Sequence, residues 1–518
     1  MMTVRWLCLT GFLFFVFLSA IAVAADGGPE FRLTEKPGPY PVGLKVVYQY
    51  DYSRTYGYAT DELGKPYQGE RARPIQTLVW YPALRSGVKR MTVNDYAQLS
   101  ATETHFDHPR LSPEMREWFA SARDSLATSL LAVRDAPMAT SHFPVVIYAS
   151  GSGGPSWENA DLCEYLASYG YVVIASPDMG ATTREMTIDL AGVNTLARDI
   201  SFLINYAQTL PDTDMTSVAA VGHSWGGIAN VFAAARDRRI NALVTLDGSL
   251  RYFPALVKQA GDVHPEQLTI PLLALLQAEF SLEDQGRYTA AGQLDGPNVL
   301  NAWTHGDLII VHMLGLVHRY FTSKWQRDVD TWTDYPLFAD YGRQDGIIAY
   351  GWVARYTRAF LDGYLKHDTA SITFLRKTPA GNEVPPHVMA VSFRPSEGLP
   401  VSFDSFRAEV GRQGFDHAAD VYAAFQKRKA DFKLEAGVLT DWADEIIGDN
   451  HLAEAIALLK LNVQMYPESG DAYFQLADAY ALSGQRQQAR DTYRVSLEKD
   501  HTGSLAGRVR RKLRELQR

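Results

Sequence analysis

The chain has 518 residues, a formal net charge of -9 at pH 7, 46% hydrophobic residues and 21% charged residues. That is a globular composition on a chain too long for one core, so two or three domains are expected. The acidic balance, with no long Lys/Arg run before the C-terminus, argues against nucleic acid as a partner.

The chain opens with Arg5 and then an apolar run from Trp6 to Val23, broken only by Thr10, Gly11 and Ser19. Ala22-Val23-Ala24 places small residues at a cleavage position ahead of Ala25-Asp26. This pattern predicts a bacterial-type signal peptide over residues 1–25 and an exported protein, periplasmic or secreted. An uncleaved anchor is the alternative, since the run is nearly long enough to span a bilayer. No later segment is apolar enough to cross a membrane. After cleavage Cys163 is the only cysteine left, so no internal disulfide is expected and stability must come from the core.

Residues 27–43 are rich in Gly and Pro and read as extended. Strands are predicted over Leu44–Tyr50 and Ile75–Pro82, with a polar, aromatic, turn-rich stretch at 51–73 between them. Residues 92–140 read as a helical insertion, most periodic over Met115–Val133, and an insertion at this place could serve as a lid. Phe143–Ser150 is a continuous apolar strand running into Gly151-Ser152-Gly153-Gly154. A helix (Asn159–Ser168), a strand (Tyr171–Ala175) and a helix (Ile188–Leu210) follow. Later apolar strands are Ala242–Leu246, Pro271–Leu276 and Asp307–His312, and Tyr350–Leu365 is an amphipathic helix. Apolar strands alternating with helices imply a mostly parallel sheet covered on both faces.

Residues 376–403 hold Pro379, Pro385, Pro386, Pro395 and Pro400 in a polar setting and read as a linker. Beyond it the pattern is helical and repeats every 34 residues: Gly484 follows Asn450, Ala489 follows Ala455 and Tyr493 follows Leu459. This is the period of the tetratricopeptide repeat, and Tyr473, Leu476, Ala477 and Tyr480 fit its first helix. Two repeats are fewer than usually stand alone, so this part is expected to pack on the first domain or to pair with a copy of itself, and a protein partner for the repeats is the further expectation. The predicted division is signal peptide 1–25, α/β domain 26–375, linker 376–403 and α-helical domain 404–518.

One stretch carries chemistry. In Gly222-His223-Ser224-Trp225-Gly226-Gly227, an apolar strand ends at a G-x-S-x-G turn and a helix begins. Such a turn strains the serine backbone so that its hydroxyl points outward, while the glycines let strand and helix approach. The Trp225 N–H then lies at the helix start, where a developing oxyanion gains from both a donor and the helix dipole. A serine hydroxyl needs a histidine base, and the base needs an acid. In this arrangement serine, acid and histidine follow in chain order at the C-terminal ends of strands. Asp247, directly after Ala242–Leu246, is the better-placed acid, and Glu279 after the next strand is its rival. His223 adjoins the serine, His264 and His305 precede strands, and His312 lies within one. His318 alone stands just beyond a strand end downstream of the acid. A second oxyanion donor is expected from the loop Ser150–Gly154.

From Gly38 to about Asp368 the chain resembles the α/β-hydrolases of the platelet-activating-factor acetylhydrolase and dienelactone hydrolase kind. The resemblance rests on Gly38–Gly43, Leu78–Ala83, Ser150–Gly153, Tyr165–Val173, Gly222–Gly227, Leu246-Asp247 and Gly315–Phe321. It implies a triad of Ser224, Asp247 and His318, with Ser152 and Trp225 giving the oxyanion N–H groups. It differs at Ser150, where the acetylhydrolase branch commonly carries histidine. The C-terminal part resembles tetratricopeptide-type tails of secreted bacterial hydrolases. The function implied is a secreted serine hydrolase cleaving carboxylic esters, small-molecule or lipid, through an acyl-enzyme on Ser224, with no metal or organic cofactor. A phospholipid acyl hydrolase is a narrower alternative. A silent hydrolase scaffold whose repeats bind a protein partner is the alternative from another class.

Overall fold

The computed structural model describes residues 30–61, 63–277, 298–328 and 341–517. The expected signal peptide and the rival acid Glu279 lie outside the described residues. The chain divides into two compact units, one ending at Pro395 and the other formed by Ser396–Arg518 with Thr304–Gly306.

The first unit is built on a ten-stranded sheet in the order β10-β9-β8-β7-β6-β4-β5-β2-β1-β3. The strands are β1 (Val42–Thr55), β2 (Ala72–Pro82), β3 (Ala132–Arg134), β4 (Phe143–Ala149), β5 (Val172–Ser176), β6 (Thr213–His223), β7 (Ile240–Leu246), β8 (Leu272–Gln277), β9 (Leu308–Met313) and β10 (Met389–Arg394). From β5 through β4 and on to β9 every neighbour is parallel, while β1–β2, β2–β5 and β9–β10 pair antiparallel. The central strands are apolar throughout because both faces are covered. Along β4, Val146 and Tyr148 enter one core and Val145, Ile147 and Ala149 the other. β6 divides in the same way, Ala219 and Val221 against Val218 and Ala220. Helices Ala160–Ser168 and Arg343–Leu365 close the first core, and Leu190–Ala207 and Trp225–Arg236 close the second.

Two stretches differ from the sequence expectation. The insertion 92–140 is helical only in short pieces, Val93–Gln98 and Pro113–Ser121, and ends in β3, which adds a parallel edge to β1. Leu130–Val133 continues the apolar spacing of the preceding helix, which disguised a short strand. Its aromatic residues are anchored: Trp118 packs edge-on against Trp157, and buried Tyr96 accepts from Trp80 Nε1 and donates to Glu164. The stretch read as a linker contains β10, an antiparallel edge strand on β9 running from Met389↔Met313 to Arg394↔Leu308. An edge strand needs only one apolar face, and the prolines that suggested a linker flank it at Pro386 and Pro395.

The second unit is all helical. Ala436–Gly448 pairs with Leu452–Met465, and Gly470–Leu482 with Arg486–Lys499. The 34-residue spacing has a backbone cause. Asn450 and Gly484 are both left-handed, at φ 65° and 76°, and turn the chain between the helices of each pair. Ala455, Leu459, Ala489 and Tyr493 at the repeated positions are all buried.

Glycines make the serine turn possible. A Cβ built on Gly226 would stand 2.2 Å from the carbonyl oxygen of Ala149, and one on Gly222 would stand 2.5 Å from the Gly226 backbone. Neither obstacle is a flexible side chain. Gly226→Ala is therefore expected to destabilise the first unit by about 1–3 kcal/mol, read by chemical denaturation.

Candidate active site

Ser224 sits between β6 and helix Trp225–Arg236 with φ 50° and ψ -120°. A non-glycine residue held at positive φ is strained, and the close packing around Gly222 and Gly226 imposes it. The turn is pinned by Ser224 N–H donating to the Leu246 carbonyl and by Gly227 N–H donating to the Ser224 carbonyl. Asp247 follows β7 at once, also at positive φ (48°), with its N–H donated to the Leu275 carbonyl. His318 stands a short turn beyond β9.

These three side chains meet. His318 Nε2 is 2.7 Å from Ser224 Oγ, and His318 Nδ1 is 2.6 Å from Asp247 Oδ2. Asp247 is 1% exposed at its side chain, whereas that of His318 is 42% exposed. The acid is thus sealed beneath a base that faces outward. Burial pushes the Asp247 carboxyl up, but the hydrogen bond and charge of His318, the Arg251 guanidinium and the Gln277 N–H outweigh it and hold the pKa below the usual range. Gln277, at the end of β8, ties the acid to the base: its N–H donates to Asp247 Oδ1 at 3.1 Å, and its Oε1 accepts from His318 N–H at 3.0 Å. No sequence pattern points to this bridge, since a glutamine at a strand end has many ordinary uses.

The loop after β4 lies against the serine, and a Cβ on Gly151 would come within 3.2 Å of Ser224 Cβ. Three of its N–H groups are accepted elsewhere: Gly151 by Glu158 Oε2 (3.0 Å), Gly153 by Asp178 Oδ2 (2.9 Å) and Gly154 by the Gly151 carbonyl (2.7 Å). Among the described residues, nothing accepts the N–H of exposed Ser152. Trp225 N–H heads its helix in the first position, where no intrahelical acceptor exists. Neither of the two N–H groups expected to serve an oxyanion has an acceptor among the described residues. Arg184 clamps the loop from behind, donating to the Asp178 carbonyl (2.6 Å), the Gly153 carbonyl (3.1 Å) and Glu103 (2.9 Å).

The histidines set aside stand elsewhere. His264 is exposed beside Glu266, His305 bonds the Gly398 carbonyl, and His312 lies within β9 opposite Ala390. His223 is buried beside Glu158, and sequence reasoning assigned it no part. No group of His, Cys, Asp and Glu among the described residues could hold a metal, and no described helix is long and apolar enough to cross a membrane.

Burial lifts the Asp178 carboxyl to about 8, against the Gly153 N–H and the Arg184 and Arg73 charges, and leaves its Oδ1 without a hydrogen bond. An acid raised in the fold contributes stability below its unfolded pKa, and that contribution is lost as pH rises through the folded value. Between about pH 4 and about pH 8, wild-type stability should therefore decline relative to that of Asp178→Asn, as read by melting temperature. A parallel decline in both would contradict this.

A mostly parallel sheet with the serine elbow after β6, an acid after β7 and a histidine after β9 defines an α/β-hydrolase. More particularly, residues 130–276 match the dienelactone hydrolase family and residues 447–513 match a tetratricopeptide repeat. No curated protein matches it. Among solved structures, a ferulic acid esterase from Streptomyces cinnamoneus is 22% identical, with a TM-score of 0.48 over 70% of this chain and 98% of the esterase.

Proposed function

We propose that the protein is a serine hydrolase of carboxylic esters acting through an acyl-enzyme on Ser224. The observation that carries this reading is the Ser224–His318–Asp247 chain of hydrogen bonds, 2.7 and 2.6 Å long, beside the unaccepted N–H of Ser152. His318 Nε2 takes the Ser224 proton as Oγ bonds to the acyl carbon. Asp247 holds the imidazole with Nδ1–H turned toward it and stabilises the imidazolium that forms. The N–H groups of Ser152 and Trp225 receive the charge on the carbonyl oxygen. His318 then gives its proton to the departing alkoxide. Water, deprotonated by the same histidine, attacks the acyl-enzyme and releases the acid.

A panel of p-nitrophenyl esters from acetyl to palmitoyl, assayed beside phospholipid vesicles, tests the reaction class. Turnover of esters with a burst of p-nitrophenol supports an acyl-enzyme. Preference for vesicles would replace this reading with the lipid-hydrolase one, and no ester turnover by folded protein would overturn both. Export is part of the proposal, supported by Arg5, the apolar run and Ala22-Val23-Ala24. Expression in a bacterial host should yield mature protein in the periplasm beginning near Ala25, and an N-terminus still carrying Trp6 would contradict it. We assign the helical repeats to binding a protein or a second copy.

A further inference from the structure

Glu158 and His223 form a buried bridge that the triad does not include. Both side chains are nearly sealed, at 4% and 5% exposure. His223 Nε2 is 3.0 Å from the backbone oxygen of His318, and a carbonyl oxygen can only accept, so Nε2 carries hydrogen. His223 Nδ1 is 3.3 Å from Glu158 Oε1. The other carboxylate oxygen accepts twice, from Gly151 N–H at 3.0 Å and from Tyr148 O–H at 3.1 Å. An oxygen accepting two hydrogens favours the ionised carboxylate, and a carboxylate facing Nδ1 makes that nitrogen a donor as well. The ring is then an imidazolium donating from both sides.

The bridge thus has two ends that matter. At one end Glu158 holds Gly151, the residue before Ser152. At the other His223 holds the backbone of His318 itself, and the two rings lie 5.0 Å apart. His223 also directly precedes Ser224 in the chain.

Resting on the serine-hydrolase reading, we infer that Glu158 and His223 are positioning residues that lock the oxyanion loop and the base loop to the nucleophile turn as one rigid set.

The electrostatics agree with the geometry. Burial works against both charges, yet each partner outweighs it for the other: the imidazole of His223 is raised in pKa, and the carboxyl of Glu158 is lowered with further help from Gly151 N–H and Lys324. Glu158→Gln keeps every hydrogen bond without the charges. Its carbonyl oxygen accepts from Gly151 and Tyr148, and its amide donates to Nδ1 of a neutral ring that still donates to His318. Glu158→Leu removes the loop anchor, and His223→Phe keeps the ring but loses both donors.

Active sites in each variant are counted with a fluorophosphonate probe, so that kcat refers to folded enzyme. Misplacing a reacting group by an ångström costs about 100-fold. The expectation is that Glu158→Leu and His223→Phe lose about 100-fold in kcat with KM changed less than about threefold, and that Glu158→Gln stays within about tenfold of wild type. The inference is overturned if either folded variant keeps kcat within about twofold, or if Glu158→Gln is as impaired as Glu158→Leu. A wild-type protein that neither labels nor turns over would instead remove the serine-hydrolase reading, which separates the two failures.

Discussion

Ser224→Ala is expected to lower kcat/KM for p-nitrophenyl esters by about 10⁴-fold or more, because no other group can form the acyl-enzyme. The rate that survives would be that of the oxyanion donors and binding alone. The same substitution should leave the fold intact. Ser224 Oγ has His318 as its partner, and it is the backbone of Ser224, not its side chain, that anchors the turn. Removing a hydroxyl from a half-buried site while those backbone bonds remain is expected to shift stability by less than about 1 kcal/mol. Thermal melts beside the kinetics check both halves, and a variant that is inactive because it is unfolded would not support the role.

Asp247→Asn is the second large effect. The aspartate accepts at both oxygens, from His318 on one and from Gln277 N–H and Arg251 on the other. An amide of the same shape must put its NH₂ group on one side and its oxygen on the other. With the oxygen facing Gln277 and Arg251, the NH₂ faces His318 Nδ1 and turns the proton onto Nε2, where Ser224 needs an acceptor. Loss of about 10³–10⁴ in kcat is expected from this wrong tautomer. Stability should also respond to pH. A carboxyl held below its usual range contributes stability at neutral pH that is lost as pH falls through the lowered value. The acid branch of the melting-temperature profile should therefore be shallower in Asp247→Asn than in wild type, as followed by thermal melts.

The central strands and the meeting of Ser224, Asp247 and His318 were legible in the sequence for physical reasons. Strands covered on both faces must be apolar along their whole length, so β4, β5, β7 and β8 stood out as continuous runs. Ser224, Asp247 and His318 each stand just past such a run, and the fold gathers the C-terminal ends of parallel strands at one edge. Ser152 is implied by the family resemblance alone; that its neighbours' N–H groups are spent on Glu158, Asp178 and Gly151 is an accounting that exists only in three dimensions. Gln277 and the Glu158–His223 bridge were hidden in the same way. Each joins residues far apart in the chain, and no spacing rule places a glutamate of one loop beside a histidine of another. β10 was hidden because it carries one apolar face between flanking prolines, and β3 because it is only three residues long beside a helical pattern. In the second unit the 34-residue period was readable because a left-handed turn at Asn450 and Gly484 recurs with the helices it joins.

The most direct test of the account is labelling of the purified protein with a fluorescent fluorophosphonate, with Ser224→Ala alongside. A hydroxyl activated by His318 and Asp247 reacts with this probe, and an ordinary surface serine does not. Stoichiometric labelling of wild type that vanishes in the folded alanine variant is the predicted result. No labelling of folded wild type, or equal labelling of both proteins, would contradict an activated nucleophile at Ser224.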